Sequence, residues 1–116
     1  MELKLRNQSG VTVVEIEGEI DLFHANKLKQ LVNKLFENNV KRIVINMQEV
    51  TYIDSSGIGA LLHIFSETKK RRLQIFFSNI HGSVKKVIEL TKLTGYFPIV
   101  NDVDEAIEQL SSEAEG

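Results

Sequence analysis

Two hydrophobic periodicities divide the chain into alternating strands and helices. Leu3 and Leu5 alternate with charged residues, and after a turn at 7–10 the β-branched run 11–17 alternates again, which predicts a β-hairpin. Apolar residues three and four positions apart predict amphipathic helices over 25–38, from the 54–56 turn to residue 70, over 83–95 and over 102–110. Short β-branched or aromatic runs predict further strands over 42–47, 73–77 and 96–100.

The predicted order of elements is β-β-α-β-α-β-α-β-α, which is typical of an α/β domain. Strands joined through helices pair in parallel, while the opening hairpin adds an antiparallel strand and makes the sheet mixed. We expect one domain over 1–110, followed by a polar, frayed tail over 111–116. In such sheets ligands and partners meet the loops at the carboxyl ends of the parallel strands.

The segment 50–59, V-T-Y-I-D-S-S-G-I-G, follows the 42–47 strand and therefore lies on that edge. Asp54, Ser55 and Ser56 stand where a helix must begin, and their oxygens can accept hydrogen bonds from its free N–H groups. Gly57 and Gly59 are poor helix formers. We expect the backbone here either to approach another group closely or to stay accessible.

Three roles are open to the two serines. Helix capping is the ordinary role of serine at such a position. A catalytic serine needs a base and an orienting acid, but the three histidines are scattered along the chain and no G-x-S-x-G pattern occurs. Phosphorylation fits better, because a helix N-terminus tolerates an added anion. A partner docked on the same turn would instead have to bury that charge beside Asp54.

The amino-acid composition argues against most other classes of function. A chain of 116 residues with a net charge of −2 fits one globular domain without the basic charge of a nucleic-acid or membrane-surface binder. It has no cysteine, no histidine pair at metal-ligand spacing and no phosphate-binding glycine loop. No apolar run approaches the roughly 18 residues of a membrane span. We expect a cytoplasmic protein without cofactor, metal or catalytic residues.

The motifs around the central turn resemble those of the STAS domain, and specifically of the bacterial anti-sigma factor antagonists. The run 53–59, I-D-S-S-G-I-G, is similar to the family signature. The run 18–21, G-E-I-D, is similar to the segment after the family's second strand, and 93–97, L-T-G-Y-F, to the segment after its third helix. The resemblance covers nearly the whole chain and implies a STAS-like α/β fold.

The resemblance also implies a function. In the family the serine directly after the aspartate, here Ser55, is phosphorylated by a cognate anti-sigma factor, a serine kinase of the histidine-kinase-like ATPase fold. The unphosphorylated antagonist binds this anti-sigma factor and frees the sigma factor for transcription. Phosphorylation ends the complex, and a metal-dependent serine phosphatase restores the antagonist. Asp21 matches an acidic residue that family members use in kinase contact.

A second part of the predicted partner site lies at 21–24, which the pattern assigns to a loop or short turn. In this segment Asp21 is either a turn residue or a kinase contact. Leu22 and Phe23 are either core residues or an exposed contact patch. His24 stands where the family commonly has Ser or Thr, so the resemblance does not assign the cap of the first helix. The predicted partner-binding residues are Asp21, Leu22, Phe23, Asp54, Ser56, Gly57, Ile58 and Gly59.

Two alternatives stay open. Another standalone STAS protein would act in a stressosome-like assembly or regulate the ATPase of an ABC transporter, and its partners would differ accordingly. A weak nucleotide hydrolase built on the Ser/Asp turn belongs to a different class. That hypothesis is disfavoured because the sequence offers no phosphate-binding loop, metal cluster or base near the turn.

Overall fold

Five strands and four helices alternate over the part of the chain that the structure describes. The computed structural model describes the backbone of residues 1–115 and the side chains of residues 1–111. The strands are β1 (Glu2–Gln8), β2 (Val11–Ile20), β3 (Arg42–Ile53), β4 (Gln74–Ser78) and β5 (Ile99–Val100). The helices are α1 (Leu22–Glu37), α2 (Ser55–Lys70), α3 (Gly82–Leu90) and α4 (Val103–Glu115). The predicted α/β order is confirmed. The tail predicted over 111–116 falls mostly outside the described side chains and stays a prediction.

The strands form one mixed sheet in which spatial order follows chain order, β1-β2-β3-β4-β5. β1 and β2 are antiparallel, and all later neighbours are parallel. At their carboxyl ends β2 and β3 are in register, with Ile20 paired to Ile53. The two strands therefore leave the sheet side by side, and each leads into a helix after a single residue.

The helices cover the two faces of the sheet unequally. α1, α2 and α3 pack on one face and form the larger core, in which Leu28 and Leu61 are fully buried. α4 covers the other face, where Leu110 is fully buried. β2 serves both cores, because successive side chains of a strand point to opposite faces: Val13 belongs to the smaller core and Val14 to the larger.

Two boundaries next to the central turn differ from the predicted ones. β3 does not stop near residue 47 but continues to Ile53, because its pairing with β2 extends to the Ile20–Ile53 pair. α1 begins at Leu22 and not at Ala25, so the predicted loop over 21–24 is wrong. As a result both helices start immediately after their strands.

The ends of α3 were also predicted wrongly, whereas the start of α4 is confirmed. α3 begins at Gly82, and the hydroxyl of Ser83 donates to the backbone oxygen of Thr51 at 3.1 Å instead of capping the helix. α3 ends at Leu90, well before Gly95. At α4, Oδ1 of Asp102 accepts from the N–H of Glu105 at 2.8 Å, and Glu105 accepts from the N–H of Asn101 at 3.0 Å.

Replacing a core residue of α2 tests this packing. Leu61→Ala should lower the free energy of unfolding by about 2–5 kcal/mol, because Leu61 is 0% exposed and its truncation leaves a cavity. Leu90→Ala is the matched control: this leucine is 81% exposed at the end of α3, and we expect a change within about 0.5 kcal/mol. Chemical denaturation measures both. Equal effects of the two substitutions would contradict the assigned core.

Candidate partner-binding site at the ends of two parallel strands

Asp21 and Asp54 cap two neighbouring helices in the same way. Oδ1 of Asp21 accepts from the N–H of His24 at 3.0 Å, and Oδ1 of Asp54 accepts from the N–H of Gly57 at 3.0 Å. Their φ and ψ angles are nearly identical, −104° and −174° for Asp21 and −107° and −173° for Asp54. Since the preceding strands are in register, the N-termini of α1 and α2 and their two carboxylates share one edge of the sheet.

Gly57 allows α2 to begin directly on the end of β2. A Cβ at this position would lie 2.3 Å from the backbone oxygen of Ile20 and 2.5 Å from Cγ1 of Ile53. A real side chain would therefore force the helix away from the sheet. Gly59 differs, because a Cβ there would meet nothing within 4 Å. The close approach of α2 to the end of β2 thus explains the glycine at position 57. At Gly59 the backbone is accessible instead.

Ser55 and Ser56 are the first two residues of α2 and not its cap. The acceptor at the cap is the carboxylate of Asp54, so the capping role considered for the serines is wrong. Ser55 is exposed and Ser56 is half-buried. The hydroxyl of Ser55 is therefore presented to solvent at the positive end of the helix dipole, next to a carboxylate that already stabilises the first turn.

Leu22 and Phe23 form an exposed apolar patch in the first turn of α1. Their side chains are 70% and 69% exposed, which decides between the two readings of these residues. The Phe23 ring lies edge-on to the His24 ring, with centroids 5.1 Å apart, and Nζ of Lys27 lies 4.9 Å from its centroid. Two adjacent exposed apolar side chains beside a helix start are typical of a contact surface.

The carboxylate of Asp21 interacts electrostatically with the first turn of α1. The hydrogen bond from the backbone N–H of His24 holds the pKa of Asp21 below its ordinary value of 3.8, and the imidazole adds to this effect. Nδ1 of His24 lies 2.8 Å from Oδ1 of Asp21. The residue that departs from the family pattern thus strengthens a cap that the preceding aspartate already provides.

The structure divides the predicted partner-binding residues by exposure. Gly57 and Ile58 are buried and pack toward the core. Leu22, Phe23 and Gly59 are exposed, as is Ser55, whereas Asp21, Asp54 and Ser56 are half-buried. Sequence reasoning missed the equivalence of the two caps. The sequence feature that could have revealed this equivalence is an Ile-Asp pair at the end of each apolar strand, directly before a helical pattern.

Two further observations concern only the described part of the chain. Among these residues no group of three or more His, Asp or Glu side chains is placed to hold a metal ion. No helix within residues 1–115 has both the length and the apolar character required to cross a bilayer.

Comparison with known proteins identifies the family. The sequence matches the STAS domain over residues 2–106, which is most of the chain. The chain therefore belongs to the STAS domain family, as its motifs predicted. The fold agrees, with four helices on a five-stranded mixed sheet in the part of the chain that the structure describes.

Three similar proteins bear names that refer to an anti-sigma factor antagonist or to a cell fate determinant. An anti-sigma-B factor antagonist of Listeria monocytogenes is 28% identical over 103 residues, which are 87% of this chain and 88% of that protein. A putative anti-sigma factor antagonist of Thermotoga maritima has a similar structure, with a TM-score of 0.85, 19% identity and 92% of each chain covered. The Bacillus cell fate determinant SpoIIAA, solved in its phosphorylated form, gives a TM-score of 0.73 at 20% identity, covering 94% of this chain and 99% of its own.

Alanine at the two glycines of α2 should have opposite effects on stability. Gly57→Ala forces a methyl group onto the Ile20 carbonyl, and we expect the free energy of unfolding to fall by about 1–3 kcal/mol. Gly59→Ala meets no neighbour and should raise it by about 0.5–1 kcal/mol through helix propensity. Thermal and urea unfolding measure both. Equal changes at the two positions would refute the close contact assigned to Gly57.

The lowered pKa of Asp21 predicts a specific pH dependence of stability. Because its pKa is lower in the folded state, Asp21 contributes stability above its ordinary pKa of 3.8 and loses that contribution as pH falls through the folded value. Asp21→Asn keeps a capping oxygen but cannot titrate. Between about pH 5 and about pH 3, unfolding in urea should show wild type losing more stability than the variant. Parallel pH profiles would contradict this assignment.

Proposed function

We propose that this chain is an anti-sigma factor antagonist controlled by phosphorylation of Ser55. Its unphosphorylated form binds a cognate anti-sigma factor, a serine kinase of the histidine-kinase-like ATPase fold, and so releases the sigma factor. Phosphorylation of Ser55 ends this binding, and a metal-dependent serine phosphatase reverses it. The chain acts in the cytoplasm as a binding module and performs no catalysis of its own.

The exposed hydroxyl of Ser55 is the observation that carries this proposal. Asp54 supplies the cap, so the fold does not use the Ser55 side chain as its cap acceptor and that hydroxyl is available to a kinase. A phosphate there gains from the helix dipole and leaves the core untouched. The relative from Listeria monocytogenes carries the name anti-sigma-B factor antagonist.

The surroundings of Ser55 explain why a phosphate would act on the partner and not on the fold. Phosphorylation adds about −1.5 to −2 charges. This charge would stand next to Asp54, on the edge of the sheet that also carries the carboxylate of Asp21 and the apolar patch of Leu22 and Phe23. A partner covering that edge would have to desolvate three like charges, and each 1.4 kcal/mol of that cost weakens binding about tenfold.

The partner contacts we propose follow the exposed side of this edge. Leu22 and Phe23 supply apolar area, Asp21 supplies a charge for the kinase, and the backbone at Ser56 and Gly59 stays within reach of a docked surface. Gly57 and Ile58 contribute by setting the position of α2, since both are buried.

Substitution of Ser55 tests the switch. Ser55→Asp should fold with unchanged melting temperature but lose the anti-sigma factor in a pull-down from source-cell lysate, because the carboxylate places a charge where the phosphate would stand. Ser55→Ala should bind constitutively and accept no phosphate. Mass spectrometry should find a Ser55 phosphopeptide only in wild type incubated with ATP and the captured kinase.

The same experiment separates the rival STAS roles. Ser55→Asp bound as tightly as wild type would overturn the switch. Recovery of transporter subunits or of other STAS proteins by both baits would instead favour a transporter regulator or a stressosome-like scaffold.

A further inference from the structure

Gly59 stands at a place where the fold itself gives no reason for glycine. It lies inside α2, it is exposed, and a Cβ there would meet nothing within 4 Å. A glycine inside a helix costs stability relative to almost any other residue. Gly57 compensates for that cost with its contact to Ile20, but Gly59 has no such contact. The packing of this chain therefore does not account for glycine at position 59.

The position of Gly59 on α2 places it in line with Ser55. Residues four apart lie on the same helix face, so Ser55, Gly59 and His63 follow one another along one side of α2 over about two turns, or roughly 12 Å. All three are exposed. A molecule docked over Ser55 that continues along this face would pass over Gly59 and reach His63.

A polar groove lies at the far end of this face, between α1 and α2. It has a volume of about 230 Å³ and is lined by Asn26, Lys29, Gln30, Asn33 and His63. Its walls offer amide groups, which donate and accept hydrogen bonds, together with an ammonium group and an imidazole. The groove is thus equipped for peptide backbone and for carboxylates.

The two helices carry no acidic residue along this surface. The chain has 16 acidic residues and a net charge of −2, yet neither 22–36 nor 55–66 contains Asp or Glu. The same stretches contain Lys27, Lys29, Lys34 and His63. Carboxylates appear only at the caps Asp21 and Asp54 and at the distal Glu37 and Glu67. The α1–α2 surface is therefore cationic within an acidic protein.

We propose that an acidic segment of the anti-sigma factor lies in this groove, with its backbone crossing α2 over Gly59 and its carboxylates beside Lys29 and His63. This inference rests on the proposed function and extends its interface from the Ser55 edge along α1 and α2. It also adds a reason for release: a phosphate on Ser55 would repel the acidic segment from the near end of the surface that attracts it.

Two pairs of matched variants test the groove, with the purified cognate anti-sigma factor as the probe and calorimetry as the measurement. Gly59→Gln adds a side chain under the proposed segment, and Gly95→Gln adds the same side chain at another glycine whose Cβ position is open. Lys29→Glu reverses a charge in the groove, and Lys86→Glu makes the same change on an exposed residue of α3.

Gly59→Gln should weaken binding by about tenfold or more while melting at or above the wild-type temperature, because glutamine favours helix. Lys29→Glu should weaken binding strongly at low salt and less at high salt, since salt screens the lost attraction. The two control variants should bind like wild type.

The outcomes separate this inference from the proposed function. If wild type binds and Ser55→Asp does not, but Gly59→Gln and Lys29→Glu bind like wild type, the switch stands and the groove is refuted. If wild type does not bind the anti-sigma factor at all, the proposed function fails and the groove assignment with it. If Gly59→Gln changes only self-association, the surface binds a second copy of this chain and the proposed acidic segment is refuted. If it changes only the binding of inorganic phosphate, the surface binds a free anion and the proposed segment is likewise refuted.

Discussion

The contact between Gly57 and the backbone oxygen of Ile20 constrains the rest of the site. It lets α2 start on the end of β2, one residue after β3 ends, so that two helix N-termini and two capping carboxylates occupy one edge of the sheet. Parallel pairing of Ile20 with Ile53 holds the strands in register beneath it. Because the contact depends on a missing side chain, the edge tolerates little change at this position.

A division of roles follows from this geometry. The carboxylates of Asp21 and Asp54 satisfy the free N–H groups of the two helices, which leaves the hydroxyl of Ser55 available for chemistry. A helix start is also one of the few places where a folded domain accepts a doubly charged phosphate at little cost. Modification there alters what the surface presents and leaves the core packing as it was. Under the proposed function, phosphorylation of Ser55 would thus switch partner binding without changing the fold.

Negative and positive side chains are separated along the α1–α2 surface. Acidic caps stand at one end of the α1–α2 surface, and the stretches 22–36 and 55–66 that lead away from them contain lysines and histidines but no carboxylate. A phosphate on Ser55 would extend the negative end toward the positive one. The apolar pair Leu22 and Phe23 lies at the same end as the caps, so apolar contact and charge would both act on the partner surface that we propose. In the proposed switch, the partner surface and the phosphorylated serine therefore share a few turns of helix.

Periodicity and local chemistry in the sequence were enough to determine the α/β order, the mixed sheet, the capping of α4 by Asp102 and the place of Ser55 at a helix start on the edge where the parallel strands end. These features depend on residues close together in the chain. The sequence did not reveal that β3 continues to Ile53, that Asp21 caps α1 or that Ser83 bonds to Thr51 and not to its own helix. The extent of β3 and the bond of Ser83 depend on a strand or backbone atom distant in sequence. The cap at Asp21 is a local contact with His24, and its Ile-Asp signal was overlooked. Only the tertiary structure, by bringing Ile20 against α2, decided which glycine is required by packing and which is left open.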